Sequence, residues 1–548
     1  MNLINLAQNG LSSAQAALNV VGNNINNATT AGYSRQSILL GEAGGKSTSY
    51  GFFGYGVQVD GVDRAYDGFI NNSVRGSSSV YQGINSRYQQ LSQIDNMLGD
   101  DTNNISVSLG NIFTALEKMS SDPVSQASRQ EALSQFKAIS YQFQSNSNAL
   151  NGLEKSTNTQ ISQTVDDVNS CAKQLAKLNA DIEKIHGQTG GIPADLLDQR
   201  DQLLGKLSEQ VPIKVNENTD TGRVDVTFSN GLPLVNGDKS YQLSASASAE
   251  DPSKTVVSYI DASGNSMLLD ESKMTSGKLG GLFKFRNEDL VSARDQLNQL
   301  ALQMANKFNE VNGAGYDLNG EAGGDIFNIS NPVAQPNRNN VSDTTLNVTY
   351  TDISSVTAQD YTITFKGPGA SDWDIKTRDG STVTPTIGDD GELQFGGISF
   401  KPEGTPEAGD SFVVNPVAGA ADNISVVITD GNQIAASGSA DPDEQSNNEN
   451  IKDMIAIKSQ TIIGGNATLT EAYASLVSSV GSSMTSLKAD GVTTEKSHNA
   501  LLLQQQSVSG VDLNEEYINL QMFSQYYQAN AQVLQTATTI FDTILNIR

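Results

Sequence analysis

The sequence predicts an α+β multidomain protein: N- and C-terminal helices that pair as a coiled coil, a long helical-bundle body, and inserted antiparallel β lobes. Three observations predict it. The chain has 548 residues, too many for one hydrophobic core. Both ends carry apolar residues in a three-four alternation, the spacing of a coiled-coil seam. Two internal stretches, 211–275 and 341–428, replace that spacing with alternating, turn-rich sequence such as GRVDVTFSNGLPLVNG and ELQFGGISF.

The first seam runs through Ile4, Ala7, Leu11, Ala14, Leu18, Val21, Ile25 and Ala28. At the other end, Leu513, Tyr517, Leu520, Ser524, Tyr527, Ala531, Leu534, Thr538, Phe541 and Leu545 repeat the pattern. A second stripe flanks this one: Phe523, Tyr526, Asn530, Val533, Ala537, Ile540, Ile544 and Ile547. One partner helix cannot cover both stripes, and no charged residue occurs in 1–34 or in 517–540. The ends are therefore expected to be largely disordered in an isolated chain and to fold when neighbouring copies cover the second stripe.

Between the ends, helices are expected over 66–100, 104–120, from Asp122-Pro123 to Ile185 with a break near Asn151-Gly152, 193–209, 288–311, 447–460, 469–488 and 494–508. The terminal coiled-coil domain would span 1–60 and 505–548. The helical body would take 61–210, 276–330 and 430–504, with 211–275 a small β region attached to it and 331–429 an outer β domain.

The formal net charge of −27, from 34 basic and 61 acidic residues, argues against nucleic acid or an anionic membrane surface as partner. Charged residues are only 17% of the total, which suits subunits packed closely on copies of themselves. A single cysteine, Cys171, excludes an intrachain disulfide, and its place on a helical seam reads as a small core hydrophobe. MNLINLAQNGLSSAQAALNV lacks the basic start and apolar run of a secretory signal.

Searches for chemistry fail on spacing. His186 and His498 sit in separate segments outside any zinc pattern. GEAGGKST, 41–48, lacks the first glycine of a phosphate loop, which falls on Leu40, and a strand pattern follows it. Asp317, Asn319, Glu321 and Asp325 have the glycine and the closing residue of a calcium loop in the wrong places. Asp389-Asp390 before Gly391 reads as a hairpin turn, and nothing in the sequence around Trp373 forms an aromatic platform for bases or sugars. No catalytic residue, cofactor or metal is expected.

VGNNINNATTAGYSRQ, at the end of the first seam, resembles the N-terminal signature of the axial proteins of the bacterial flagellum, the rod, hook and hook-associated proteins. SGVDLNEEYINLQMFSQYYQANAQVLQTATTIFDTIL, 509–545, resembles their C-terminal signature. GGIPADLLDQRDQLLGKLSE (190–209), GGLFKFRNEDLVSARDQLNQLALQMANKFNEVNGAGYDLNG (280–320) and GGDIFNI (323–329) resemble the hook-associated branch, and within it the first of two junction proteins between hook and filament.

The resemblance implies a structural subunit exported through the flagellar type III channel, so transiently cytoplasmic and then extracellular on the flagellum. Its implied partners are copies of itself in a ring, hook protein, the second junction protein (hook-associated protein 3), and a cytoplasmic export chaperone on the C-terminal helix. Hook protein or the second junction protein remain as alternatives, as does a secreted adhesin using its β lobe. The expected assembly interface is Ile4, Leu11, Leu18, Val21, Ile25, Leu513, Tyr517, Leu520, Phe523, Tyr527, Val533, Leu534, Phe541 and Leu545. Asn27, Gly32 and Tyr33 are expected to form a hinge from the inner helix to the outer body, with Arg35, the first charged residue, marking the exit from the seam.

Overall fold

The structure is a computed structural model that describes residues 2–100, 102, 104–228, 230–369 and 372–545. Helix α1 (Asn2–Asn27) leads into one long antiparallel hairpin. Its base is β1 (Gln36–Glu42) against β4 (Val57–Arg64), and its tip is β2 (Gly45–Thr48) against β3 (Gly51–Gly54). The glycine-rich segment that resembles a phosphate loop thus becomes strand, with no helix N-terminus behind it to bind an anion.

The body starts at α2 (Gly68–Leu98), where Asp67 accepts hydrogen bonds from the Phe69 and Ile70 amides as an N-cap. Helix α3 (Ile105–Ser121) and the 64-residue α4 (Gln126–Thr189) follow. At about 1.5 Å per residue, α4 runs about 95 Å. The expected break at Asn151-Gly152 is absent. Gly152 is exposed while Leu150 and Ile161 on either side are buried, so packing outweighs the roughly 1 kcal/mol that a helical glycine costs.

Helix α4 is the spine of two cores. Its first half places Leu133, Phe136, Ile139 and Phe143 in a core with α3 and the later helices. Its second half places Ile161, Val168, Ala172 and Leu175 in another. That second core is closed by α5 (Ala194–Gln210) and two sheets. One sheet runs β5 (Ile213–Glu217), β6 (Val224–Phe228), β7 (Pro233–Asn236), β8 (Lys239–Ser240) in that order. The other contains β9 (Gln242–Ala247), β10 (Thr255–Ile260) and β11 (Ser266–Leu268), with β10 central. Residues 211–275 therefore share their core with helices of the body.

Asparagines on α4 hold these sheets. The Asn179 amide donates to the Val224 carbonyl at 2.7 Å and its oxygen accepts from the Val224 N–H at 3.1 Å. Asn169 does the same to Leu243, and Asn158 to Ser253 and Thr255. A carboxamide carries a donor and an acceptor side by side, so it stands in for a neighbouring strand and satisfies backbone that would otherwise be buried unpaired.

Next come α6 (Gly277–Lys284), a π-helical stretch (Phe285–Leu290) and α7 (Val291–Ala314) as one rod. The sequence reading starts this helix near 288, whereas it begins at Gly277, ahead of Gly280 and Gly281. Those glycines permit helix crossing: a Cβ on Gly281 would lie 2.1 Å from the Gly83 carbonyl oxygen of α2.

The outer domain holds β12 (Gln335–Pro336), β13 (Thr345–Tyr350), β14 (Tyr361–Phe365), β15 (Trp373–Thr377), β16 (Thr382–Val383), β17 (Thr386–Ile387), β18 (Leu393–Phe395), β19 (Ile398–Glu403) and β20 (Ser411–Val414). They form two antiparallel sheets, ordered β12-β20-β14-β15-β16 and β13-β19-β18-β17. Between them Trp373 lies against Phe365, Phe400 and Phe412 in a third core that also takes Leu302 from α7. After α8 (Ala420–Asn423) the chain returns to the body as α9 (Glu449–Ala456) and α10 (Leu469–Ser509). Helix α10 is continuous through Gly491, where the sequence reading has two helices. Helix α11 (Leu513–Leu545) closes the chain against α1.

Candidate assembly interface and hinge

Both ends, expected to be disordered in an isolated chain, are helical here and meet along one face. Helix α1 lies between α11 and the hairpin. Its buried positions are Ala7, Gly10, Ser13, Ala14, Ala17, Val21 and Asn24, close to three-four spacing and composed mostly of small residues. Small side chains let the helices approach closely: a Cβ on Gly10 would sit 2.3 Å from Asn530 Oδ1. On the hairpin side, Asn9 donates to the Tyr55 carbonyl at 3.0 Å.

This face is rotated from the one that residue size suggests. Ala7, Ala14 and Val21 belong to both, whereas Ile4, Leu11, Leu18 and Ile25 flank the contact and are half-buried. On α11 the least exposed positions include buried Glu516 and Ala537 with half-buried Phe523, Ser524, Asn530, Ala531 and Leu534, so the covered face takes members of both stripes. Leu513, Tyr517, Leu520, Tyr527, Val533, Phe541 and Leu545 are exposed, as are Ile518, Tyr526, Ile540 and Ile544. Ile547 lies outside the described residues. An apolar groove of about 420 Å³ opens between the helices beside Leu3, Val533, Ala537 and Ile540.

The turn expected to act as a hinge is built from short polar contacts. The Asn27 amide donates back to the Asn23 carbonyl at 3.0 Å, satisfying an orphan acceptor of the last turn. Gly32 has φ 77°, so the backbone favours glycine, and a Cβ there would lie 2.6 Å from Gln202 Nε2 and push that side chain aside. The Tyr33 hydroxyl donates to Asn24 Oδ1 at 2.8 Å, and burial, then the charges of Asp198 and Glu516, push it up to about 12.

Beyond Tyr33 the chain enters a charged clamp. Arg35 pairs with Glu516 at 2.8 Å and Glu515 at 3.0 Å, while its N–H donates to the Ser509 carbonyl. Burial lowers the Arg35 pKa, and its two glutamates more than offset that, leaving it raised. Ser34 N donates to Asp198 at 3.0 Å, and Arg64 at the end of β4 joins Asp198 at 2.8 Å and Asp201 at 2.7 Å. Arg200, fully buried, joins Asp201 and Glu217. Through these pairs α5 holds the root of the hairpin and the exit of the hinge.

Sequence reading names Gly32, Tyr33 and Arg35 but misses Asn24, Glu516, Asp198, Arg64 and Arg200. One signal was available: Arg35 is the first charge after α1, and Glu515-Glu516 are the last before the uncharged stretch of α11.

The other residues singled out for chemistry occupy ordinary structural positions. Asp317 accepts from the amides of Asn319 and Glu321 in a turn. Asp389-Asp390 precede Gly391 at φ 75° between β17 and β18. Cys171 is half-buried beside the second core, His186 ends α4, and His498 shares a hydrogen bond with Ser77. Among the described residues no cluster of His, Cys, Asp and Glu has the arrangement of a metal site, and no helix is long and apolar enough to cross a membrane.

Comparison with known proteins gives four family matches. The FlgK helical domain of flagellar hook-associated protein covers 91–327, and the D2-like domain of flagellar hook-associated protein 1 covers 335–416. The flagella basal body rod protein family covers 4–33, and the C-terminal family of the basal body rod proteins FlgEFG covers 504–547. Flagellar hook-associated protein 1 of Salmonella typhimurium is 41% identical over 555 residues, and that of Escherichia coli 40% over 551, each alignment covering 100% of both chains. The structure of the flagellar hook junction protein FlgK from Burkholderia pseudomallei superposes with a TM-score of 0.72 at 25% identity, over 80% of this chain and 100% of that one. The chain belongs to the flagellar hook-associated protein 1 family.

Proposed function

We propose that this protein is a structural subunit of the bacterial flagellum that assembles at the distal end of the hook and joins hook to filament. The observation that carries the reading is the open stripe of α11. A helix with Tyr517, Ile518, Tyr526, Ile540 and Ile544 exposed, and without a charge from 517 to 540, has an apolar face that its own chain does not cover. Neighbouring copies in a ring would cover it, the terminal helices forming the inner tube and the outer domain facing outward.

Hook protein below and the second junction protein above would meet the two ends of such a ring. Before assembly the same face is an aggregation hazard, which supports capture of α11 by a cytoplasmic chaperone and export through the flagellar type III channel. A cryo-EM map of the hook-filament junction tests the reading. Density for this chain between hook and filament, with α1 and α11 innermost, is the expected result; filaments growing normally on hooks of a deletion strain would overturn it.

A further inference from the structure

The outer domain rests on one face of α7, at Asp295, Gln299, Leu302 and Gln303. Leu302 enters the outer core, while the side-chain amides of Gln299 and Gln303 donate to the Val356 and Ile353 carbonyls at 3.3 and 2.6 Å. At the end of this contact two carboxylates, one from each domain, meet in a single cluster. Asn415 Nδ2 donates to Asp295 Oδ1 and to Asp360 Oδ1, both at 2.9 Å. Arg378 binds Asp360 through Nε at 3.0 Å and reaches Asp295 with Nη2 at 3.3 Å. Asp360, Arg378 and Asn415 all lie at one end of the adjacent strands β14, β15 and β20.

We propose that Asp295 and Asp360 form a proton-dependent latch between the helical body and the outer domain, docked more tightly when Asp295 carries a proton than when both are ionised. One guanidinium faces two anions, and the other cations around the same cleft are engaged elsewhere. Arg294, next to Asp295 on α7, pairs with Glu154 at 2.8 Å. Arg286 pairs with Glu271 at 2.6 Å, and Lys254 of the middle β region with Asp251 at 3.7 Å. Two carboxylates sharing a site cannot both ionise at ordinary cost.

Burial and the Asp360 charge push Asp295 up to about 6, against the pull of Arg378 and Asn415. An undocked, solvated Asp295 would return to about 3.9. The docked state therefore binds the proton more tightly. Docking strengthens as pH falls through 6, has its full proton contribution below the undocked value, and loses it at neutral pH. Between pH 7.5 and pH 5 the docking constant should rise about tenfold.

Amide hydrogen exchange of residues 352–357 in the full-length chain, corrected for intrinsic rate, measures this undocking. Wild type should gain about tenfold protection from pH 7.5 to pH 5. Asp295→Asn, neutral at every pH, should show no step. Asp360→Asn removes the like charge and should move the step to lower pH. Should Asp295→Asn fail to fold, Asp360→Asn decides alone. A flat wild-type profile, a full step in Asp295→Asn, or an unmoved step in Asp360→Asn would each overturn the latch.

Discussion

Asn24 Nδ2 donates a 3.1 Å hydrogen bond to Glu516 Oε2 across 492 residues of chain, and both side chains are 1% exposed. Asn24 also donates to the Gln36 carbonyl at 2.8 Å, and its oxygen accepts from Gln36 N and the Tyr33 hydroxyl. One amide thus joins α1, α11, the hinge and the hairpin, and Glu516 answers with a charge shared by Arg35. A carboxylate buried to this degree is tolerated only with partners, so the pair fixes which turn of α11 faces which turn of α1.

Glu516→Ala and Glu516→Gln should separate these contributions. The glutamine keeps a group for Asn24 but loses the charge opposite Arg35, which is partly solvated, and should weaken docking of the ends by about 1 kcal/mol. Alanine loses both and should cost about 2–3 kcal/mol. Hydrogen exchange at residues 33–36 reports the loss. Equal exchange in the two variants would show that Glu516 acts only through its charge and that the acceptor kept by glutamine contributes nothing.

Gly10→Ala should push α1 away from α11 unless Asn530 yields, since the new methyl meets that side chain at 2.3 Å. Asn530 is the flexible partner, so Asn530→Ala should remove most of the penalty. A double-mutant cycle on the docking of the two ends should give a coupling of about 1 kcal/mol or more. Additive effects would mean that the close approach at Gly10 is not a determinant of pairing.

The helical body and the outer domain were legible because their cores follow simple periods: Ile161 to Ile182 at helical spacing, and alternating strands such as Tyr361–Phe365. The face of α1 that pairs was not. Sequence periodicity weighs large side chains, so it selects Leu11 and Leu18, whereas the contact also buries Gly10 and Ala17 because close approach rewards small ones. The helix expected from 288 begins at Gly277, where Gly280 and Gly281 lower helix propensity but permit the crossing with Gly83. Buried ion pairs such as Arg64–Asp198 link positions 134 residues apart and leave no local pattern.

Asn179→Leu should cost about 3 kcal/mol or more, because it leaves both polar groups of Val224 and the Gly237 carbonyl buried without their partner. Asn179→Asp keeps the acceptor toward the Val224 N–H but sets a carboxylate against two carbonyls, and should be at least as damaging. Thermal unfolding of the full chain measures both. A leucine variant as stable as wild type would show that the sheet docks through the hydrophobic core alone.

Ile518→Asp and Leu534→Asp together test whether the open stripe is an assembly surface. Ile518 is 66% exposed in the single chain, so a charge there should change monomer stability by less than about 0.5 kcal/mol. In a ring that covers this face, the same charge would be desolvated with no cation nearby, as 517–540 contains none, and assembly should fail. Leu534 is half-buried toward α1, so Leu534→Asp should damage the helix pair as well as assembly, while the body, which shares no core with α11, stays folded. Leu11→Asp and Leu18→Asp, at the flank of the pair, should resemble Leu534→Asp. Motility, negative-stain counts of filaments on hooks, and circular dichroism of the purified variants give the three readouts. Normal filaments in Ile518→Asp cells would leave the exposed stripe without a neighbour and remove the main support for the junction reading.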